Sequence, residues 1–373
     1  MVLEILNRWI HPWIQIAGKP RSAFQVCGLL GLTASLALAQ ALAIQRGLEI
    51  RITLALAALA GSTFFALAML TKIMIGEEKL VFYHHMISVL AGAAVFLWLT
   101  NRPVLPYLDI SVLAVGVFLV FGRLGCLMVG CCHGRPSRFG VIYPREHTRA
   151  GFPVCYMGTP LFPVQALEAA YVAGIVAAGS WLVLRGYTPG AATAWFITAY
   201  GLGRFWFEQL RGDSERPYLG GFSEAQWTAI VSAILTAALL PPGPWHTWIA
   251  GLLVTCAIAI FIARRSSSTG RHLLLHPRHI KEIAVALHGG ATPEGDIRVR
   301  RTSLGIAVSR GIIHTASSTV CHYSLSGAAT ALEPEQASIL GGLILRIKPP
   351  GGRTNFHRGE RGVFHIVTTR EHP

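Results

Sequence analysis

In a chain of 373 residues, 52% are hydrophobic and 13% charged. That charged share is about half that of an ordinary water-soluble domain, which excludes one and points to a polytopic membrane protein. The formal net charge of +14 is scattered between apolar runs instead of forming one stripe. This argues against nucleic acid and for anionic headgroups or a phosphate-bearing substrate as partners.

Residues 1–20 mix Glu4, Arg8, His11 and Lys19 with apolar residues and lack the apolar core of a cleavable signal peptide. The segment 1–21 reads as an interfacial helix, with Trp9 and Trp13 one turn apart at headgroup depth. About 20 apolar residues cross the hydrocarbon as a helix that satisfies its own backbone. On that measure eight spans are predicted, at 22–45, 52–75, 80–100, 107–129, 161–184, 190–210, 223–240 and 246–263. Residues 22–265 then form an all-α bundle of seven or eight transmembrane helices, with a small extramembrane head in the Gly-, Pro-, Arg- and His-rich loop 130–160. After Arg264-Arg265 the run 266–270 has the small polar residues of a linker. The segment 266–373 reads either as a soluble α+β extension, with helices at 277–288 and 333–346 and strands at 297–309 and 362–369, or as a poorly folded tail. Its nine histidines show no close metal-ligand spacing.

Four groups of residues carry chemistry. At the end of the fourth span lies Gly122-Arg123-Leu-Gly-Cys126-Leu-Met-Val-Gly-Cys131-Cys132-His133-Gly134. An arginine at membrane depth needs a partner, a cavity or headgroups, and so reads either as a site or as a snorkelling side chain. In the sixth span Tyr200, Arg204, Glu208 and Arg211 recur at helical spacing on one face. Arg204 and Glu208 neutralise each other, which leaves Arg211 and Arg123 over, and guanidinium groups bind phosphate in two-pronged, charge-assisted fashion. Tyr83-His84-His85 opens the third span, where a histidine is either a general base or a headgroup contact. Pro163-Val-Gln165-Ala-Leu-Glu168 opens the fifth, with Glu168 as an intramembrane partner or a first-turn acid. Asp109, near the start of the fourth span, has the same dipole explanation.

Taken in this order, these pieces resemble the prolipoprotein diacylglyceryl transferase family over about 22–240. The Gly-Arg run at Gly122 to Gly134, Asp109 fourteen residues before its arginine, Pro163-x-Gln165-x-x-Glu168, Tyr200-x3-Arg204-x3-Glu208-x-x-Arg211 and Ser223-x-x-Gln226 carry the resemblance. Where well-studied members have asparagine and glutamate in the Gly-Arg run, this chain has Cys126 and Cys131, as in a cysteine-bearing form of the wider family. The family's His-Gly-Gly is here Tyr83-His84-His85, and its Trp-Tyr-Gly is Val26-Cys27-Gly28.

The resemblance implies a multi-pass enzyme of the bacterial cytoplasmic (inner) membrane. It would transfer diacylglyceryl from phosphatidylglycerol to the lipobox cysteine of a prolipoprotein, without a cofactor. On this reading Arg123, Arg204, Tyr200 and one of His84 and His85 are catalytic, and Arg211, Glu208, Gly134, Cys126, Cys131, Gln165, Glu168, Asp109 and Tyr83 line the substrate. The arginines hold the leaving phosphate and a histidine takes the acceptor thiol's proton. The alternatives are a non-catalytic lipid-binding or redox protein on the same scaffold, or a transferase with another acceptor. For the cysteines, a structural or disulfide role with Cys155 comes first, a redox or acyl-carrying role second and a metal third, because adjacent cysteines are poor tetrahedral ligands; no metal is expected. The implied outward amino terminus puts Arg46, Arg51, Arg102 and Arg185 inside, whereas positive-inside counting favours the opposite placement.

Overall fold

The computed structural model describes residues 7–76, 81–214, 216–240, 245–266, 270–289, 298–327 and 331–371. Long helices occupy all the predicted spans: α1 (Ala23–Gln45), α2 (Ile50–Ile75), α3 (Phe82–Leu99), α4 (Val104–Val129), α5 (Val164–Leu184), α6 (Ala191–Leu210), α7 (Glu224–Leu239) and α8 (His246–Ser266). Residue 80 of the third predicted span and 267–269 of the linker lie outside the described residues. Six of the helices are long and apolar enough to cross a membrane; α6, which carries Arg204 and Glu208, and α7, with 16 residues, are not among them.

α4 is the centre of the bundle, with 50% of its most apolar window buried against 11% for α2, and it packs on α1, α3, α5 and α6. A β-carbon at Gly116 would stand 2.5 Å from Phe196, and one at Gly179 2.5 Å from Leu113. Glycine therefore sets how closely α4 approaches its neighbours, as expected where no water drives helices together. On the outside, Phe65, Ile73 and Trp248 are exposed, apolar surface that suits lipid.

Residues 7–21 differ from the interfacial helix expected over 1–21, of which residues 1–6 lie outside the described residues. Beyond a turn at 7–9, β1 (Trp13–Ile16) and β2 (Lys19–Ser22) form an antiparallel hairpin. Ala17 and Gly18 at its tip both have positive φ, 49° and 73°, the backbone twist that two-residue hairpins use, and Pro20 would break a helix interior but is tolerated on an edge strand. In the head, β3 (Pro136–Ile142) pairs with β4 (Pro160–Leu161), and β5 (Tyr218–Leu219) pairs with β6 (Phe222–Ser223) before α7.

The tail is folded. A helical turn at Arg271–Leu274 leads to α9 (Pro277–His288), and α10 (Pro334–Ile347) follows later. Five antiparallel strands, β7 (Arg300–Arg301), β8 (Ile306–His314), β9 (Ser318–Gly327), β10 (Arg353–Arg358) and β11 (Phe364–Glu371), lie in the order β10-β11-β9-β8-β7. The predicted strand 297–309 is broken by the turn at Gly305 (φ 73°); residue 297 lies outside the described residues. Cross-strand pairing also brings together histidines that are far apart in sequence. His357 stacks on His365 (5.1 Å), whose Nδ1 lies 2.9 Å from His322 Nε2.

The tail packs on the head: a continuous buried cluster joins Ile10, Leu127, Tyr143, Phe152 and Tyr156 to Ile280, Leu287, Val308, Leu340 and Phe364. Thr159 donates to the Ile347 carbonyl at 3.0 Å across this junction. Connectivity explains the shared core: antiparallel helices joined by short loops alternate in direction, so α8 ends on the side where α4 ends and α5 begins.

Candidate functional site

The same alternation gathers the start of α3, the end of α4, the start of α5 and the end of α6 at the head side of the bundle. Glu168, fully buried one turn into α5, is the hub. Its Oε2 lies 2.9 Å from Arg123 Nε and 3.9 Å from Arg211 Nη1, and its Oε1 3.9 Å from Arg204 Nε. Tyr200 donates its hydroxyl to Oε1 at 3.1 Å. Arg204 Nη2 meets Glu208 Oε1 at 2.5 Å. The helical spacing read along α6 thus does place Tyr200, Arg204, Glu208 and Arg211 together, and Arg123 joins them from α4.

The ion balance differs from the expected surplus of two arginines. Arg211 is held in a two-pronged pair by Asp213 (2.8 and 3.2 Å), and Arg216 bridges Asp213 (3.0 Å) and Glu208. Arg123, Arg204, Arg211 and Arg216 therefore face Glu168, Glu208 and Asp213, four guanidiniums against three carboxylates. Burial opposes the charge on Asp213, but Arg211 and Arg216 outweigh it and hold this carboxyl well below the usual range. Asp213 and Arg216 went unread in the sequence. The signal was there, in acid and base at positions 211, 213 and 216 directly after a span.

Donors remain over. Among the described residues, the Tyr83 hydroxyl, Arg123 Nε, Arg204 Nη1 and Arg211 Nη1 are buried without a well-aligned hydrogen-bond acceptor, and Glu168 Oε2 and Glu208 Oε2 without a donor. Tyr83 packs on Tyr200 with ring centres 5.7 Å apart. A buried unpaired donor costs about 1–3 kcal/mol, so a cluster with several of them together is suited to an anion rich in oxygen.

The histidines part company. His84 is half exposed, and its Nε2 lies 2.6 Å from Glu224 Oε1 at the start of α7, which puts a histidine–carboxylate pair one residue from Tyr83. His85 is buried, with Nδ1 3.0 Å from the Val81 carbonyl and its ring 4.6 Å from Phe64, so it faces α2 and not the arginines. Consecutive helical residues point about 100° apart, which is why three adjacent residues have three environments.

Other expected substrate contacts make hydrogen bonds to backbone. Asp109 accepts from Gly190 N (2.7 Å), Thr193 N (2.8 Å) and Thr193 Oγ1 (2.7 Å). It caps the start of α6, roughly 20 Å along the helix from Arg204 at 1.5 Å per residue. Gln165 donates to the Cys131 carbonyl at 2.8 Å. Gly134 is threaded between two chains: its N–H donates to Phe162 O (3.1 Å) and it bridges to Arg211, and a β-carbon there would meet Phe162 O at 2.3 Å. Arg135 Nε donates to the Arg211 carbonyl at 3.2 Å. In Ser223-x-x-Gln226 the two residues cap α7 reciprocally, and Gln226 Nε2 donates to Phe205 O (3.2 Å). The tail reaches the same loop, where Arg278 Nη2 donates to Arg216 O (3.2 Å) and His276 lies against Tyr218 (4.4 Å).

All seven cysteines are free thiols, and the expected partner Cys155 lies in the head–tail core. The sulfurs of Cys126, Cys131 and Cys132 instead converge within 4.8 Å of one another. Hydrogen bonds from Cys126 and Cys131, and then the charges of Arg211 and Arg123, hold the Cys132 thiol well below its usual range against the cost of burial.

The model of the family described as prolipoprotein diacylglyceryl transferase matches residues 29–241. A phosphatidylglycerol–prolipoprotein diacylglyceryl transferase 2 of Clostridium perfringens is 28% identical over 152 residues, 40% of this chain and 57% of that protein. A phosphatidylglycerol–prolipoprotein diacylglyceryl transferase of Clostridium tetani is 28% identical over 153 residues, 40% of this chain and 59% of the relative. One of Dehalococcoides mccartyi (strain ATCC BAA-2266 / KCTC 15142 / 195) is 27% identical over 175 residues, 45% of this chain and 62% of its own length. The match thus spans less than two thirds of each relative's length. The family match, however, takes in more than half of this chain and all the arginines and carboxylates of the buried set, and the chain belongs to the prolipoprotein diacylglyceryl transferase family.

Proposed function

We propose that the chain transfers the diacylglyceryl group of phosphatidylglycerol to the cysteine thiol of a prolipoprotein lipobox at the bacterial cytoplasmic membrane. The observation that carries this reading is the buried set of four guanidiniums against three carboxylates, with unpartnered donors from Tyr83, Arg204 and Arg211.

In the proposed reaction the acceptor sulfur bonds to the glyceryl carbon that bears the phosphate. The carbon–oxygen bond to phosphate breaks, and glycerol phosphate leaves. The charge that gathers on the departing phosphate is met by Arg123, Arg204 and Arg211, donors already oriented by Glu168, Glu208 and Asp213, so little reorganisation is needed as the bond breaks. His84, paired with Glu224, takes the thiol proton; His85 is the weaker candidate because it faces α2. The other residues act as supports: Asp109, Gln165 and Gly134 place the helix ends, while Cys126 and Cys131 lie beside the arginine wall. In the family's orientation the head, the tail and the site all lie on the outer face.

The test uses the full chain in bilayers containing phosphatidylglycerol, with a lipobox peptide read by mass. A diacylglyceryl mass gain on the peptide's cysteine is expected. Retention of phosphatidylglycerol without any transfer would instead identify a lipid-binding protein.

A further inference from the structure

α4 ends at Gly130, whose φ of 84° turns the chain out of the helix. Two residues on, Cys132 also has a positive φ, 55°. A side chain in that conformation costs roughly 1–3 kcal/mol and persists only where the surroundings enforce it. Its effect here is specific. In extended backbone neighbouring side chains point to opposite faces, which is why adjacent cysteines are poor joint ligands; the left-handed residue instead folds Cys132 back beside Cys131, over Cys126 in the last turn of α4. The proposed transfer does not use these thiols.

We propose that Cys126, Cys131 and Cys132 form a three-sulfur site for a soft monovalent d10 cation, Cu(I). Around a metal bonded to sulfur at about 2.3 Å, three coplanar sulfurs stand about 4.0 Å apart, so sulfurs already within 4.8 Å of one another need close by less than about 1 Å. The ligand type selects soft cations. The number of ligands selects further, because the site has no fourth donor of its own among the described residues. His133 directs Nδ1 to the Gly134 carbonyl (2.9 Å), and its ring lies against Tyr156 and Phe152. Cys155 lies in the head–tail core. Zinc asks for four ligands in a closed structural site, whereas a trigonal set suits Cu(I). Cys131 is exposed and Cys126 buried, which provides an entry side and an enclosed side. Binding forms three metal–sulfur bonds and releases to solvent the proton of each thiol that is still neutral; no electron is transferred. Occupancy fastens the end of α4 to the loop that carries Gly134.

The test is anaerobic competition for Cu(I) between the reduced full chain in bilayers and a Cu(I) chelator. One Cu(I) per chain is expected, with three sulfur neighbours by X-ray absorption. Cys126→Ser and Cys131→Ser should each weaken binding by at least about 100-fold, since loss of an outer-shell partner alone costs 10–100-fold. Cys27→Ser and Cys256→Ser should leave it unchanged. In the unaltered protein, where no variant can misfold, Cu(I) should block alkylation of Cys131 and raise the melting temperature in proportion to the logarithm of free metal. Unblocked alkylation, a two-sulfur shell, binding retained in both serine variants, or preference for Zn²⁺ over Cu(I) would each overturn the proposal.

Discussion

The two ends of α6 both bury ionisable groups among apolar helices, and they do so to opposite effect. At its start Asp109 receives two backbone N–H groups and a hydroxyl, all between 2.7 and 2.8 Å, and the donors and acceptors match. At its end four guanidiniums meet three carboxylates, and donors of Tyr83, Arg204 and Arg211 have no acceptor among the described residues. Burial of ionisable groups therefore does not by itself mark a site in a membrane bundle. What marks one is donor capacity that the protein has oriented and left unmatched.

Substitutions at the two ends should separate these roles, and the largest effect belongs to the unmatched end. Arg123→Ala or Arg204→Ala should lower transfer to a lipobox peptide by at least about 10²–10³-fold, the loss seen when a preorganised donor to developing charge is removed. The protein should still insert, as judged by its recovery in the membrane. Full activity in either variant would sink the phosphate role and with it the contrast between the ends.

Next is the backbone crossing that supports the arginines. Gly134→Ala would push a β-carbon to 2.3 Å from the Phe162 carbonyl. Overpacking of this kind costs typically about 1–3 kcal/mol, so the melting temperature and the activity should fall together. Unchanged stability would mean that the threaded segment yields more easily than its hydrogen bonds suggest.

At the matched end Asp109→Asn should cost about 0.5–2 kcal/mol, the range for loss of a helix cap, and leave the catalytic constants of the folded fraction unaltered. A large fall in turnover with normal stability would return Asp109 to the site. The smallest effect should come from the tail. His279 is buried, with its ring nitrogens 2.7 Å from the Leu274 carbonyl and 3.1 Å from Thr302 Oγ1, and burial lowers its pKa. A lowered histidine is neutral in the fold, so its contribution is complete above the unfolded value of about 6.5. It is lost progressively as pH falls below that value towards the folded one. Hydrogen exchange of α9 should quicken over that range, and His279→Gln should flatten the dependence.

Much of the site could be read from spacing because it lies on helices. Steps of four, four and three carry Tyr200, Arg204, Glu208 and Arg211 onto one face whatever the fold around them. Asp213 and Arg216 escaped notice because they follow the helix, where no periodicity says which way a side chain turns. His84 and His85 were indistinguishable for a related reason: one faces Glu224 and the other Phe64, a choice made by the rotation of α3 against its neighbours. The convergence of the three cysteines could not be read from spacing, because spacing rules assume ordinary backbone and Cys132 has a positive φ.

By itself, the sequence determined the membrane class, the eight helical runs, the charged face of α6 and the arginine at the end of α4, because apolar length and helical period are local properties. Only the tertiary structure decided the rest. Glu168 becomes the hub, and Asp109 merely a cap, through contacts between residues 32 to 84 positions apart. The tail shares a core with the head because α8 returns the chain to the same side. Charge balance in the cluster, and the donors left over within it, depend on which groups finally meet, and that is a property of packing alone.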